Sequence, residues 1–436
     1  MSEVVVLGAG PDELVAARVL QQAGRRVIVV QEHAVPERVV GWAPAQIGRL
    51  EATRPDPWLR TADGVELFTD VKRSAKSLGP RDAERWPQFC DRMARLAALL
   101  QEIYLQPPPS LIDMRFALKV RRLGRAGMED LMRLLPMPAA ELLDEWFESH
   151  TLKGALCALA VRDIQQGPRS AGTAFRLLHS HLGSPRGVFR PATVNVAPLR
   201  SGLTIRESPV ARIDVSAGAV TGVTLASGET LSATLVVAGA DPARVLGELV
   251  EPGWLDPDLL RATRHVRSRG VAARVRLELD RAPEWPTLTL AGTADDVERA
   301  YDAVKYGRVS DRLIIDAVAD GPAVDVHVQY LPHTAVDTAD IQARVVKQLQ
   351  SHLPAIRSST VESPVDLERI YGWPEGQPHH AELSLDQALW MRPLPELSGY
   401  RTPLRGLWLC GPAMHPGAGV IGAAGHNCAR AMLGSP

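Results

Sequence analysis

The chain has 436 residues, 45% hydrophobic and 23% charged, the balance of a folded globular protein with a sizeable core rather than of a disordered or fibrous one. Its 49 Lys and Arg against 50 Asp and Glu leave a formal net charge of -1, so no overall positive excess is available for nucleic acid or an anionic membrane surface. No apolar run reaches the eighteen or so residues of a transmembrane segment, and four scattered cysteines without a C-x-x-C pair fit buried thiols in a reducing, cytoplasmic setting better than disulfides or a zinc site.

In chain order, EVVVL at 3–7 reads as a strand, 11–23 as a helix and RVIVV at 26–30 as a second strand, a βαβ beginning with short connections. The early strand leaves no room for a secretory leader ahead of it. Residues 81–105 carry apolar positions at helical spacing and stop at the prolines 107–109, and 127–160 read as further helices separated by Pro136 and Pro138. The basic run 119–125 reads as a solvated helix end. From 203 the period changes, and the stretch to Asp241 reads as four strands with turns at SAG, ASG and around Ser232. VAARVRLEL at 271–279 and AVDVHVQY at 323–330 alternate like half-buried strands, Ala339 to His352 is an amphipathic helix, and GLWLCG at 406–411 is a strand entering a glycine-rich turn and a helix over 419–433.

Two of these junctions have the chemistry of nucleotide turns. In a G-x-G-x-x-G turn the first glycine allows the bend, the second lets backbone amides approach a pyrophosphate, and the third lets the helix pack on the strand. Gly8 and Gly10 supply the first two, Glu13 stands in the third place, and Glu32 sits where an acidic residue accepts hydrogen bonds from a ribose. At the far end, Gly417, Ala418, Gly419, Gly422, Ala423 and Ala424 would let a flat ligand lie against backbone at a helix start.

The pair VVVLGAGPDELVAA and LCGPAMHPGAGVIGAAGHNCARAML resembles the FAD-dependent, phytoene-desaturase-like branch of the flavin amine oxidase superfamily. The resemblance continues through ELLDEWFESHTLKGAL, QQGPRSAGTAFRLLH, VVAGADPARVL and HHAELSLDQALWMRPLPELSGYRTPLRGL, and covers almost the whole chain. It implies an α/β fold: a discontinuous Rossmann-like FAD/NAD(P)-binding domain from residues 1–50, 195–250 and 400–436, with an inserted α+β substrate domain from 51–194 and 251–399. It also implies that FAD meets Gly8 and Gly10 at its pyrophosphate, Glu32 at its ribose and Val210 at its adenine. The flavin would then lie near Gly411 and the Gly419, Val420, Ile421 turn. Family members oxidise C–C or C–N bonds by hydride transfer to the flavin, so no catalytic triad is expected and no catalytic residue is assigned.

The chain departs from the family in four places. Asp12 and Glu13 replace a neutral Asn-Gly pair, and two carboxylates there could take the helix amides themselves, as in a capping box. An ionised carboxylate about 5 Å from a pyrophosphate, at an effective dielectric of about 20, costs on the order of 3 kcal/mol, roughly a hundredfold in affinity. The segment after Glu32 lacks the family's double glycine and basic residue. Phe189 and Arg190 replace small residues in 184–207, with Pro191 and Pro198 cutting short a helix. The hairpin around Asp320 to Ala323 is shortened.

Adjacent His379 and His380 have no third ligand in register, so no metal is expected. His415 is read as a structural hydrogen-bonding group before a polarising one. Trp373, Trp390 and Tyr400 are read as core before cavity wall. Cys410 and Cys428 should meet as two thiols. The expected activity is an FAD-dependent oxidoreductase, of dehydrogenase, desaturase or oxidase type, acting on a small or hydrophobic organic molecule. A flavin-free relative serving as a binding or scaffold subunit, paired with an active paralogue, stays open as the alternative, as do homo- and hetero-oligomers.

Overall fold

Val4, Val5 and Val6 are fully enclosed, as a continuous β-branched run must be when both faces of its strand are covered. In the computed structural model, which describes residues 3–108, 121, 124–334, 336–417 and 419–434, Glu3–Leu7 is the central strand of a five-stranded parallel sheet. Arg26–Gln31 and Leu235–Ala238 flank it, with Thr204–Glu207 and Leu407–Leu409 at the edges. Strands from three distant stretches of chain share this sheet. Because all run parallel, the Gly8 turn and the turn after Leu409 emerge at the same carboxyl end, where ligands bind in open α/β sheets.

The first helix runs Pro11–Gln22 and uses Gly10 as N-cap, with Pro11 in the first turn, where a missing N–H costs nothing. Between the pieces of the parallel sheet the chain inserts an α+β body. Its helices include Pro80–Tyr104, Gly124–Leu134, Ala139–Trp146, His150–Ala160 and Thr173–Ser180. Its antiparallel sheet has the order Thr287–Leu290, Ile314–Asp320, Ala323–Gln329, Ala272–Leu279, Ile356–Glu362. The hairpin at Asp320 closes through Gly321, whose φ of 62° suits glycine. Separate apolar clusters fill the parallel sheet's faces, the helical region around Trp58, Trp86 and Phe89, and the inserted sheet around Trp285.

Three sequence expectations change. The 203–241 stretch forms five strands, Thr204–Glu207, Val210–Ser216, Ala219–Leu225, Thr230–Ser232 and Leu235–Ala238, rather than four. Pro209 lacks the donor a continuing strand would need, and the Ser208 amide bonds Gln31. The first piece therefore stays in the parallel sheet while the second joins a three-stranded antiparallel sheet. The last helix is Ala423–Met432 and begins after Gly422, whose φ of 72° no helical residue adopts. Trp373 lines the main cavity, whereas Tyr400 is core, its hydroxyl bonded to the His415 carbonyl. Ala418 and most of the basic run 119–125 lie outside the described residues. Among those described, no helix is long and apolar enough to cross a membrane.

Candidate active site

One cavity of about 940 Å³ reaches from the Gly8 turn to the inserted sheet, at the upper end of the size range of cofactor and ligand sites. Gly8, Gly10, Glu32, Val210, Gly419, Val420 and Ile421 all contribute to its wall. Gly411 does not: a Cβ there would lie 1.9 Å from the Gly239 carbonyl oxygen, so this glycine lets two strand ends approach rather than facing a ligand. The Gly419 to Ile421 turn is held by main-chain bonds to Trp42, from the Trp42 amide to Gly419 at 2.7 Å and from the Ile421 amide to Trp42 at 2.8 Å.

The acidic pair divides its work. Asp12 Oδ1 accepts from the amides of Ala424 and Gly425 at 3.1 and 3.3 Å, so it caps the last helix and not its own. Glu13 turns back toward the Gly10 amide, the half of a capping box that belongs to the third helical position. Its carboxyl packs where Gly8, Gly10 and Gly239 lack side chains; a Cβ on Gly239 would lie 1.6 Å from Glu13 Oε1. Both groups are buried, and burial pushes Asp12 up to about 7 and, with Asp12 adding to it, Glu13 up to about 8. The repulsion expected of two ionised carboxylates is thereby reduced to that of their ionised fraction near neutral pH. Glu32 is met by the Arg244 guanidinium at 2.6 Å, so a ribose would share it.

Beyond the Gly419–Ile421 turn lies a polar cluster that no motif announces. The helix His150–Ala160 is followed by Arg162 and Asp163, the latter at φ 60°, a conformation Asp tolerates better than most residues. His327 Nε2 donates to Asp163 Oδ1 at 2.8 Å, Gln377 Nε2 donates to the Asp163 carbonyl at 2.7 Å, and Arg162 stands 3.6 Å from the carboxylate. Burial works against the charged Asp163, but His327, Arg162 and His379 outweigh it and hold the carboxyl far below its ordinary range. Burial pushes His327 down, and His379 down to about 3, while the Asp163 carboxylate pulls both the other way. Asp316 takes two bonds from Arg190, at 2.5 and 2.6 Å, and one from Arg162 at 2.9 Å. Arg190, one of the residues that replace small ones in 184–207, is thus the anchor of the neighbouring strand to the inserted sheet. Phe189 beside it packs among Trp58, Trp86 and Phe89.

On the helix Thr173–Ser180, Arg176, His179 and Ser180 are three and four residues apart and line the same cavity. His379 lines it too, and among the described residues no group of three His, Cys, Asp or Glu side chains is arranged to hold a metal ion. His415 is absent from the wall; its ring packs edge-on against Tyr104, and burial pushes it down to about 3. Cys410 and Cys428 are free, buried thiols.

A parallel sheet with glycine turns at both ends of the chain, opening on one long cavity, is the architecture of a Rossmann-like dinucleotide-binding fold. The family profile described as flavin containing amine oxidoreductase matches residues 72–433, and the chain belongs to that family. Over 540 aligned positions it is 27% identical to the rat (Rattus norvegicus) pyridine nucleotide-disulfide oxidoreductase domain-containing protein 2, covering 99% of this chain and 93% of the relative. That alignment is longer than this chain, so the relative carries segments that this chain does without. The hydroxyneurosporene desaturase of Cereibacter sphaeroides is 26% identical, with 99% and 97% covered, which places the phytoene-desaturase-like proteins among its kin. A solved putrescine oxidase bound to putrescine shares the fold with a TM-score of 0.66 at 13% identity, over 99% of each chain.

Proposed function

We propose that the protein is an FAD-dependent oxidoreductase that removes a hydride and a proton from a small or hydrophobic organic substrate. The reading rests on one observation: a single cavity joins the Gly8–Gly10 turn, the Gly419–Ile421 turn and the Asp163, His327 cluster. FAD would lie along it, with its pyrophosphate at Gly8 and Gly10, its ribose at Glu32, its adenine at Val210 and its ring system at Gly419, Val420 and Ile421. When bound it would supply a two-electron acceptor, turned over by oxygen or another oxidant. The chain's own contribution is to orient the substrate, exclude water and take up the proton. His327 suits the last task, because the Asp163 carboxylate fixes its Nε2–H and no described residue bonds its Nδ1.

A second reading, a flavin-free scaffold, is favoured by two contacts: Glu13 turned onto the Gly10 amide and Arg244 on Glu32. The visible spectrum of the purified protein, before and after incubation with FAD and removal of the excess, separates the two. A flavin band that stays with the protein supports the enzyme. A colourless protein that takes up none sinks it in favour of the scaffold.

A further inference from the structure

Two guanidiniums in the inserted body, Arg176 and Arg392, are almost fully enclosed with no described carboxylate within ion-pair distance, and they differ in how their charge is met. Arg392 reaches six main-chain carbonyls, those of His379, Ala381, Glu382, Gln387, Pro412 and Met414. That number of acceptors is what a buried structural cation requires. Arg176, 5% exposed, donates to one, the Arg162 carbonyl at 3.0 Å, and its buried Nε has no partner. No carboxylate of a described residue comes within ion-pair distance of it; the Asp163 carboxylate acts on it from farther off and is already engaged by Arg162 and His327.

The charges around Arg176 do not balance. Arg162 and Arg190 are engaged by Asp316, and Arg162 also approaches Asp163. Three cations, Arg162, Arg176 and Arg190, therefore meet two carboxylates, Asp163 and Asp316. Burial pushes His327 and His379 toward their neutral forms, and a proton on either would add to the positive excess rather than cancel it. One positive charge is left over, on the side chain that lacks acceptors and lines the cavity. A buried cation is kept only where something meets it. Arg176 is one helical turn from His179, whose Nε2 lies 3.9 Å from the place of a Cβ on Gly419, so the excess faces the cavity beyond the flavin-side turn.

We infer that the substrate carries an anionic group, a carboxylate in the simplest case, which Arg176 holds in the cavity. Calling the bound molecule a substrate rests on the oxidoreductase reading; the anion site itself does not. The guanidinium fork matches a carboxylate through two parallel hydrogen bonds, and the bound anion restores neutrality to the cluster. A neutral or cationic molecule would leave Arg176 uncompensated.

Calorimetric titration of the purified full-length protein tests this with three matched probe sets: hexanoate and benzoate, their amides, and hexylammonium and benzylammonium. At least one carboxylate is expected to saturate near one equivalent, about tenfold or more tighter than its amide. Arg176→Gln and Arg176→Met should abolish that preference, and Arg176→Lys should retain part of it. Equal binding of carboxylate and amide, tighter binding of an ammonium, no carboxylate binding, or a preference that survives Arg176→Gln would overturn the assignment. If the variants fail to fold, the wild-type comparison of acid with amide decides alone. Repeating the titration with saturating FAD separates the two sources of anion: carboxylate binding abolished by FAD would mean that Arg176 serves the cofactor, and the substrate assignment falls. A colourless protein that still prefers carboxylates would lose the oxidoreductase reading and keep the anion site; a yellow one without the preference would do the reverse.

Discussion

Asp12 caps the helix that contains Gly425, its Oδ1 accepting the Ala424 and Gly425 amides from across the whole length of the chain. A Cβ on Gly425 would lie 1.7 Å from the Asp12 carbonyl oxygen, so the two helix starts are in main-chain contact. Asp12→Ala would leave two buried amides unpaired, a cost of about 1–3 kcal/mol for such a group. Asp12→Asn keeps an acceptor of the same shape and should match or exceed the wild type at pH 8. Denaturant unfolding of the two variants checks this, and an Ala variant as stable as Asn would contradict it.

Stability should also fall with rising pH through Glu13. An acid whose folded-state pKa is raised binds more protons folded than unfolded, so its contribution is greatest below its unfolded value, 4.5, and is lost as pH climbs toward about 8. Glu13→Gln keeps an acceptor for the Gly10 amide without the charge. It should gain on the order of 2 kcal/mol over the wild type at pH 8 and much less at pH 5. A gain that does not change between pH 5 and pH 8 would refute the assignment.

The contact between Glu13 and Gly239 can be isolated by a double-mutant cycle. Gly239→Ala places a methyl group against the Glu13 carboxyl and should cost about 1–3 kcal/mol through overpacking. In a Glu13→Gly background the same change should be nearly neutral. Costs that simply add would mean that the two residues do not meet.

Arg190 and Asp316 make a fourth stability test. Removing one partner of a buried pair strands the other, so Arg190→Met or Asp316→Asn should each lose about 3–5 kcal/mol. Because Arg162 shares Asp316, Asp316→Asn should also disturb Asp163 and His327. A thermal melt that leaves either variant within a degree or two of the wild type would remove the pair from the account.

Much of this was legible beforehand. The unbroken valines, the Gly8, Gly10 turn and the small residues after Leu409 each follow a local rule, and so the parallel sheet and the wall residues Gly8, Gly10 and Gly419 could be read from them, whereas Val210, Val420 and Ile421 came only with the family resemblance. Gly411 could not, because its role is set by Gly239, far away in sequence. The destination of the Asp12 carboxylate was equally hidden, since a capping residue points first to its own helix. The Asp163, His327, Arg176 cluster has no spacing at all: its members come from a helix end, a strand and a separate helix, and only the inserted sheet brings them together. The role of Arg190 was hidden too, because its partner is Asp316, more than a hundred residues on.

Titrating FAD into the wild-type chain and into Asp12→Asn/Glu13→Gly bears most directly on the central claim. The wild type should take up one equivalent, and the double variant should bind about tenfold more tightly at pH 8, with the gap narrowing at pH 6 as the carboxyls protonate. No uptake by the wild type at either pH would contradict the claim that this cavity holds the cofactor.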